Sequence, residues 1–233
     1  MFGKPGKRVR AGALGVVAMS ACAVVLAACA PVKMGSAAVV GDQRITQSDL
    51  DAQVSNLQTA AKPYGSAISL HPAQMPVAVL SWLIKFQVGD QVSADHGISL
   101  TTAQIQAGIA DISAQAKQAA QQEGLSSPRA ALINVGIPPQ LLPALGKFQA
   151  QEVAYAEQVN GGKLPTTQAE GEAVNTKLAK AQCTAAKSLN IQVNPQFGRL
   201  DYSNLVVVPA TDTLSQPAGT PSPANTTGLT PAC

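Results

Sequence analysis

The chain is poor in groups that do chemistry. Its 233 residues include two histidines, His71 and His96, and four cysteines. It has no His-Glu-x-x-His, no Gly-x-Ser-x-Gly and no glycine-rich phosphate loop after a strand. Those are the patterns that metal hydrolysis, acyl transfer and nucleotide binding require. Cys183 and Cys233 have no Cys or His at ligand spacing, so no metal and no cofactor is expected. His96 stands beside Gly97 at an expected helix C-terminus, where its charge favours the helix dipole. His71 falls in a proline-bounded loop. The carboxylate pairs Asp49/Asp51 and Glu170/Glu172 are two residues apart on expected helices, a spacing that points them away from each other. The expectation is a protein that is not an enzyme.

Charge is sparse as well, at 12% of residues, and the formal net of +3 is unevenly placed. Lys4, Lys7, Arg8 and Arg10 crowd the first ten residues, with no acid among them. Residues 11–28 carry no charge. A basic start followed by an apolar run reads as an export signal. The run is a little short of the roughly 20 residues that span a bilayer. It closes on Leu26-Ala27-Ala28-Cys29, which resembles the lipobox of bacterial lipoproteins. That resemblance implies diacylglycerol on Cys29, cleavage before it, and a mature chain held to membrane lipid on the extracytoplasmic face. Two acyl chains anchor stably. The plainer alternative is an ordinary signal with a chance cysteine. Removing residues 1–28 takes four positive charges from a net of +3 and leaves about −1. No basic patch then remains to suggest nucleic acid. Cys183 and Cys233 are left in an oxidising compartment as candidates for a disulfide.

The remaining chain divides into a tether (29–36), a helical domain (37–208) and a tail (209–233). The tail is rich in Pro, Thr and Ser, with Asp212 its only charge. Such a composition buries too little apolar surface to offset its ordering entropy, so disorder is expected. In the domain, Val39-Val40 and a turn at Gly41-Asp42, reaching into Gln43, precede a first helix. Thr46 is its expected N-cap, Asp49 the acidic partner, and Ile45 with Leu50 the staple. Leu50, Val54, Leu57 and Ala61 trace one helical face. A longer helix runs from about residue 73 to 96, with Val77, Leu80, Leu83, Ile84, Val88 and Val92 on its stripe and Gly97 at C′. Thr101 and Gln104 repeat the capping device for a helix to about residue 122. Pro128 opens a short helix, being favoured at N1. Pro138-Pro139 opens another, carried by Leu142, Leu145, Gln149, Val153, Ala156 and Val159. The last helix begins near Thr166 or Thr167 and ends near Leu189. Two extended stretches follow, 190–201 and 205–208. Either could pair with Val39-Val40, as a clasp between the domain's two ends. The fold class is mainly α, a multi-helix domain with a small sheet joining N- and C-terminal strands.

In this order the residues look like a known family. "AVVGDQRITQSDLD", then "HGISLTTAQI", then "LSSPRAAL" and a further long helix, resemble the N-terminal domain of the SurA and parvulin-type foldases. There a strand near "AAVVNGE" precedes "ITxSDLD", and the next long helix ends in "GIxVS". "VNPQFGRLD" resembles the "VNPRYG-x-W/F-D" ending of related lipoproteins. The resemblance covers residues 37–201. Many relatives insert a prolyl-isomerase domain after the long helix that here ends near Asn160. Only residues 161–165 separate that helix from the next, so isomerase activity does not carry over. The resemblance implies a chaperone-like module for unfolded or extended exported polypeptides. The competing reading is an adaptor lipoprotein that holds one specific envelope partner.

A binding surface would be apolar. Aromatics are only 3% of the chain, so most should be consumed by the core. Core is the favoured place for Trp82, Phe86 and Phe148. Met75, Leu141 and Leu142 lie near proline-rich helix starts and suit an exposed groove better. Tyr155 completes the set of bulky candidates. Adaptable apolar side chains suit promiscuous binding.

Overall fold

A computed structural model describes residues 35–209 and 233 of the chain. The expected export signal, Cys29, most of the tether and tail residues 210–232 lie outside the described residues. β1 (Ser36–Val40) opens the fold. The strand thus includes Ser36, one residue before the expected start of the domain, and Ser36 is fully buried and pairs with Thr46.

β1 is followed at once by β2 (Gln43–Thr46), and the two form an antiparallel hairpin with Val40 opposite Gln43. The expectation had put Gln43 in the turn. The turn is Gly41-Asp42 alone, and two-residue hairpins of this kind favour a Gly with positive φ. Gly41 has φ +58°, and its N–H donates to the Leu189 carbonyl at 2.7 Å. A Cβ there would meet Leu189 Cδ2 at 2.8 Å, so Gly41 is needed both for conformation and for space.

Six α-helices follow among the described residues: α1 (Gln47–Ala61), α2 (Met75–Asp95), α3 (Thr102–Gln122), α4 (Pro128–Asn134), α5 (Leu142–Val159) and α6 (Gln168–Ser188). Their starts obey the expected chemistry. The Thr46, Thr101, Ser127 and Thr167 side chains accept from the N3 backbone N–H groups of α1, α3, α4 and α6. Thr101 with Gln104, and Thr167 with Glu170, complete reciprocal capping boxes. Asp49 departs from this, since its carboxylate accepts from the Thr46 hydroxyl at 2.6 Å. Gly97, Gly124 and Gly136 stop α2, α3 and α4 at positive φ.

α2 is the axis of the core. Val79, Leu80, Ile84 and Val88 are fully buried on it. It packs against α1, α5, α6, β1 and β5 (Val206–Val208). Leu50 and Leu57 from α1, Ile133 from α4 and Ala186 from α6 close the same cluster.

Of the face expected on α5, only Leu145 is buried. Leu145, Phe148, Gln151 and Tyr155 are inside, while Leu142, Gln149, Val153 and Ala156 are only half-buried. The helix is flanked by α3 on one side and by α2 and α6 on the other. Small residues Gly146 and Ala150 serve the α3 side, so no single apolar stripe describes it. Gly108 of α3 lies on Gly146, where an added Cβ would overlap the Gly146 carbonyl oxygen.

The partner of β1 is β3 (Gln192–Val193), with Val193 opposite Ala38 and Gln192 opposite Val39. The sheet order is β2-β1-β3. The alternative partner, 205–208, is used elsewhere. β5 pairs with β4 (Arg199–Asp201) in a separate two-stranded sheet. Val207 of β5 still reaches the core, its N–H donating to Ser81 Oγ on α2 at 2.9 Å.

Candidate functional site

Seven bulky residues were candidates for binding, and the structure divides them. Met75 is 3% exposed and belongs to the core, contrary to its expected place in a groove. The short 3-10 turn Pro72–Gln74 leads into α2 and turns Met75 inward. Tyr155 is likewise buried, its hydroxyl donating to the Lys177 carbonyl at 3.2 Å. His96 packs edge-on against the Tyr155 ring, with centroids 4.9 Å apart. His71 caps the Pro72–Gln74 turn, its Nδ1 accepting from the Ala73 N–H at 3.3 Å.

Phe86, Leu141 and Phe148 come together at one surface pocket of about 340 Å³. Phe86 and Leu141 are half-buried, and Phe148 forms a buried wall. The Phe86 ring lies between Trp82 and Phe148, with centroids at 6.0 and 5.9 Å. Tilted contacts of this kind suit the ring quadrupoles. Leu142 is half-buried and does not line this pocket. Gly89 makes room for Phe148, since a Cβ there would stand 2.6 Å from Phe148 Cδ2. The rim is charged. Asp90 pairs with Lys147 Nζ at 2.6 Å and accepts from Gln151 Nε2 at 2.6 Å. Arg44 and Asp49, from β2 and α1, also line the pocket.

A second pocket, of about 280 Å³, is also lined by Phe148. Trp82 and Lys85 come from α2, Glu152 from α5 and Gln182 from α6. The β4–β5 turn, 202–205, makes the remaining wall. Lys85 Nζ stands 4.8 Å from the Trp82 ring centroid, in cation–π geometry. The Trp82 indole is held by donating Nε1–H to the Val135 carbonyl at 2.9 Å. Glu152 accepts from Gln182 Nε2 at 3.0 Å. Burial pushes the Lys85 ammonium below the ordinary lysine range, with the Glu152 charge opposing that shift. Burial raises the Glu152 carboxyl, against the Gln182 hydrogen bond and the Lys85 charge.

Cys183 also lines this pocket, and it is joined to Cys233 in a disulfide with Cα atoms 5.6 Å apart. Among the described residues no group of three or more His, Cys, Asp or Glu side chains converges as a metal site. No described helix is long and apolar enough to cross a membrane.

Lys85, Glu152 and Asp90 escaped the reading of the sequence. One signal was available: Lys85 is the only charged residue from Met75 to Gly89, an otherwise apolar stretch. No family model, curated protein or solved structure matches this chain.

Proposed function

We propose that the protein is a membrane-anchored, exported lipoprotein that binds extended or unfolded polypeptides and has no prolyl isomerase activity. The Phe86–Leu141–Phe148 pocket carries this reading. It offers half-buried apolar side chains on a helical frame, beside charges that can meet a backbone or a polar neighbour. Such a mixture, an apolar floor with a few placed polar groups, is what ligand pockets share. Cys29 would hold the domain to lipid on the extracytoplasmic face. The Cys183–Cys233 bond supports export, because disulfides persist in oxidising compartments. The resemblance to SurA-type N-terminal domains supports a client that is an unfolded exported chain.

The test uses the full chain in detergent. It should suppress light scattering from a chemically unfolded client and bind labelled apolar peptides. Leu141→Asp should weaken peptide binding about tenfold, the loss of one apolar contact and its desolvation. Unchanged aggregation and no peptide binding by the wild type would reject the proposal. A second reading rests on the pocket's size. A pocket of about 340 Å³ suits one anchoring side chain better than a long segment, and so suits an adaptor with one partner. Pull-down from membranes separates the two readings: one stoichiometric partner favours the adaptor.

A further inference from the structure

Lys85 and Glu152 bring opposite charges to one pocket, where each favours the other's charged form without a direct salt bridge between them. Among the described residues, Lys85 Nζ has neither an ion-pair partner nor a hydrogen-bond acceptor; its close contact is the face of Trp82. Glu152 is held from one side only, by Gln182. Burial works against the charged form of both groups. Two desolvated charges held apart cost stability that a direct, well-bonded pair would partly recover. The pocket that both side chains line, about 280 Å³, offers space for a molecule that bears both complementary charges.

The walls are suited to hold one. Trp82 and Phe148 line it, the indole fixed by its hydrogen bond and the Phe148 ring by the room at Gly89. The opposite wall is braced as well. Asp201 accepts from the Ser203 N–H at 2.9 Å and from Asn204 Nδ2 at 2.7 Å. Leu205 follows at φ +50°, a conformation that a branched aliphatic residue seldom adopts and that tends to mark functional positions. The volume, about 280 Å³, lies just below the range for drug-sized ligands and suits a smaller one.

We propose that this pocket binds a free α-amino acid with an apolar side chain: the carboxylate meets Lys85, the ammonium meets Glu152, and the side chain lies against Trp82 and Phe148. The site shares only Phe148 with the peptide pocket. It neither requires nor excludes polypeptide binding there.

The experiment titrates the full, disulfide-intact chain in detergent by calorimetry, with L-leucine, L-methionine and L-phenylalanine. The two half-ligands of leucine, 3-methylbutylamine and 4-methylpentanoate, are titrated in parallel. At least one amino acid should bind with a Kd of about 1 mM or tighter. Each half-ligand should bind about tenfold or more weakly, the loss of one charge-assisted hydrogen bond. Lys85→Met and Glu152→Gln should show the same loss while unfolding cooperatively. Three results would overturn the proposal: no binding of any amino acid, half-ligands as tight as the parent, or variants that bind like the wild type. The comparison of ligands on the wild type does not depend on either variant folding.

Discussion

The side-chain amide of Asn194 donates to the backbone carbonyl of Ser36 at 3.0 Å, across 158 residues of chain. The Asn194 N–H also donates to the Ala37 carbonyl, at 2.9 Å. One residue just past β3 thus ties down the start of β1 through both its backbone and its side chain. Asn194→Ala should lower stability by about 1–2 kcal/mol, since it strands a part-buried carbonyl. Deleting residues 37–41 removes the central strand of the sheet and should abolish cooperative unfolding. Both are read by thermal denaturation, and an unchanged Tm in the deletion would sink the clasp.

The α3–α5 crossing depends on two glycines. A Cβ on Gly108 would overlap the Gly146 carbonyl, and one on Gly146 would overlap Ile109 Cγ1. Gly108→Ala should therefore destabilise by about 1–3 kcal/mol, the usual cost of forcing extra atoms into a packed site. Alanine at Gly171, which has open space around it, should be neutral or stabilising by about 1 kcal/mol, because Gly is the poorer helix former. Equal effects at the two positions would contradict the packing.

Glu152 and Lys85 predict a pH dependence. The Glu152 carboxyl is raised from the usual 4.5, so the fold favours its protonated form. Its contribution to stability is full below 4.5 and is lost as pH rises through the folded-state value. Lys85 is lowered from 10.5, so its contribution is full above 10.5 and is lost as pH falls through the lowered value. Near neutrality both charges weigh against the fold. Glu152→Gln, which keeps an acceptor for Gln182, should gain stability relative to wild type as pH rises above 4.5. Denaturant midpoints measure this, and a difference that shrinks with rising pH would count against the buried carboxylate.

The N-caps give a fourth kind of test. Thr101→Ala and Thr167→Ala each remove the hydroxyl that accepts from an N3 backbone N–H. Each should cost about 1 kcal/mol. The two sites lie on different helices, so the double variant should lose close to the sum. Chemical denaturation of the two singles and the double would show whether they add.

Cys183 and Cys233 should resist alkylation until the chain is reduced. Peptide mapping without reductant should find their fragments linked. In Cys183→Ser the Cys233 thiol should react at once with a maleimide, and an unreactive thiol there would be contrary to the bond.

Much of the helical layout was legible, for a local reason. Thr46 and Thr101 cap their helices through bonds that span three residues, so the same short pattern carries both cause and effect. The α5 stripe was misread because periodicity assumes one buried face, while this helix is packed on two. The hairpin was half legible: Gly41 marked the turn, but four-residue β2, with only Ile45 buried, lacked an apolar signal of its own. Of the binding candidates, Phe86, Leu141 and Phe148 meet at one pocket, while Met75 and Tyr155 went to the core. Nothing local distinguishes these two groups, because exposure is set by what packs on top.

The order of the chain by itself determined a mainly helical domain, its helix starts and stops, and the presence of extended segments at both ends. These depend on capping bonds, glycine conformations and apolar spacing within a few residues. Only the tertiary structure decided that β1 takes Val193 and not Val207 as its partner. It alone set Gly108 on Gly146, and brought Lys85 and Glu152 into one pocket. Each of those joins residues far apart in sequence, where the choice among partners depends on the packing of the whole core.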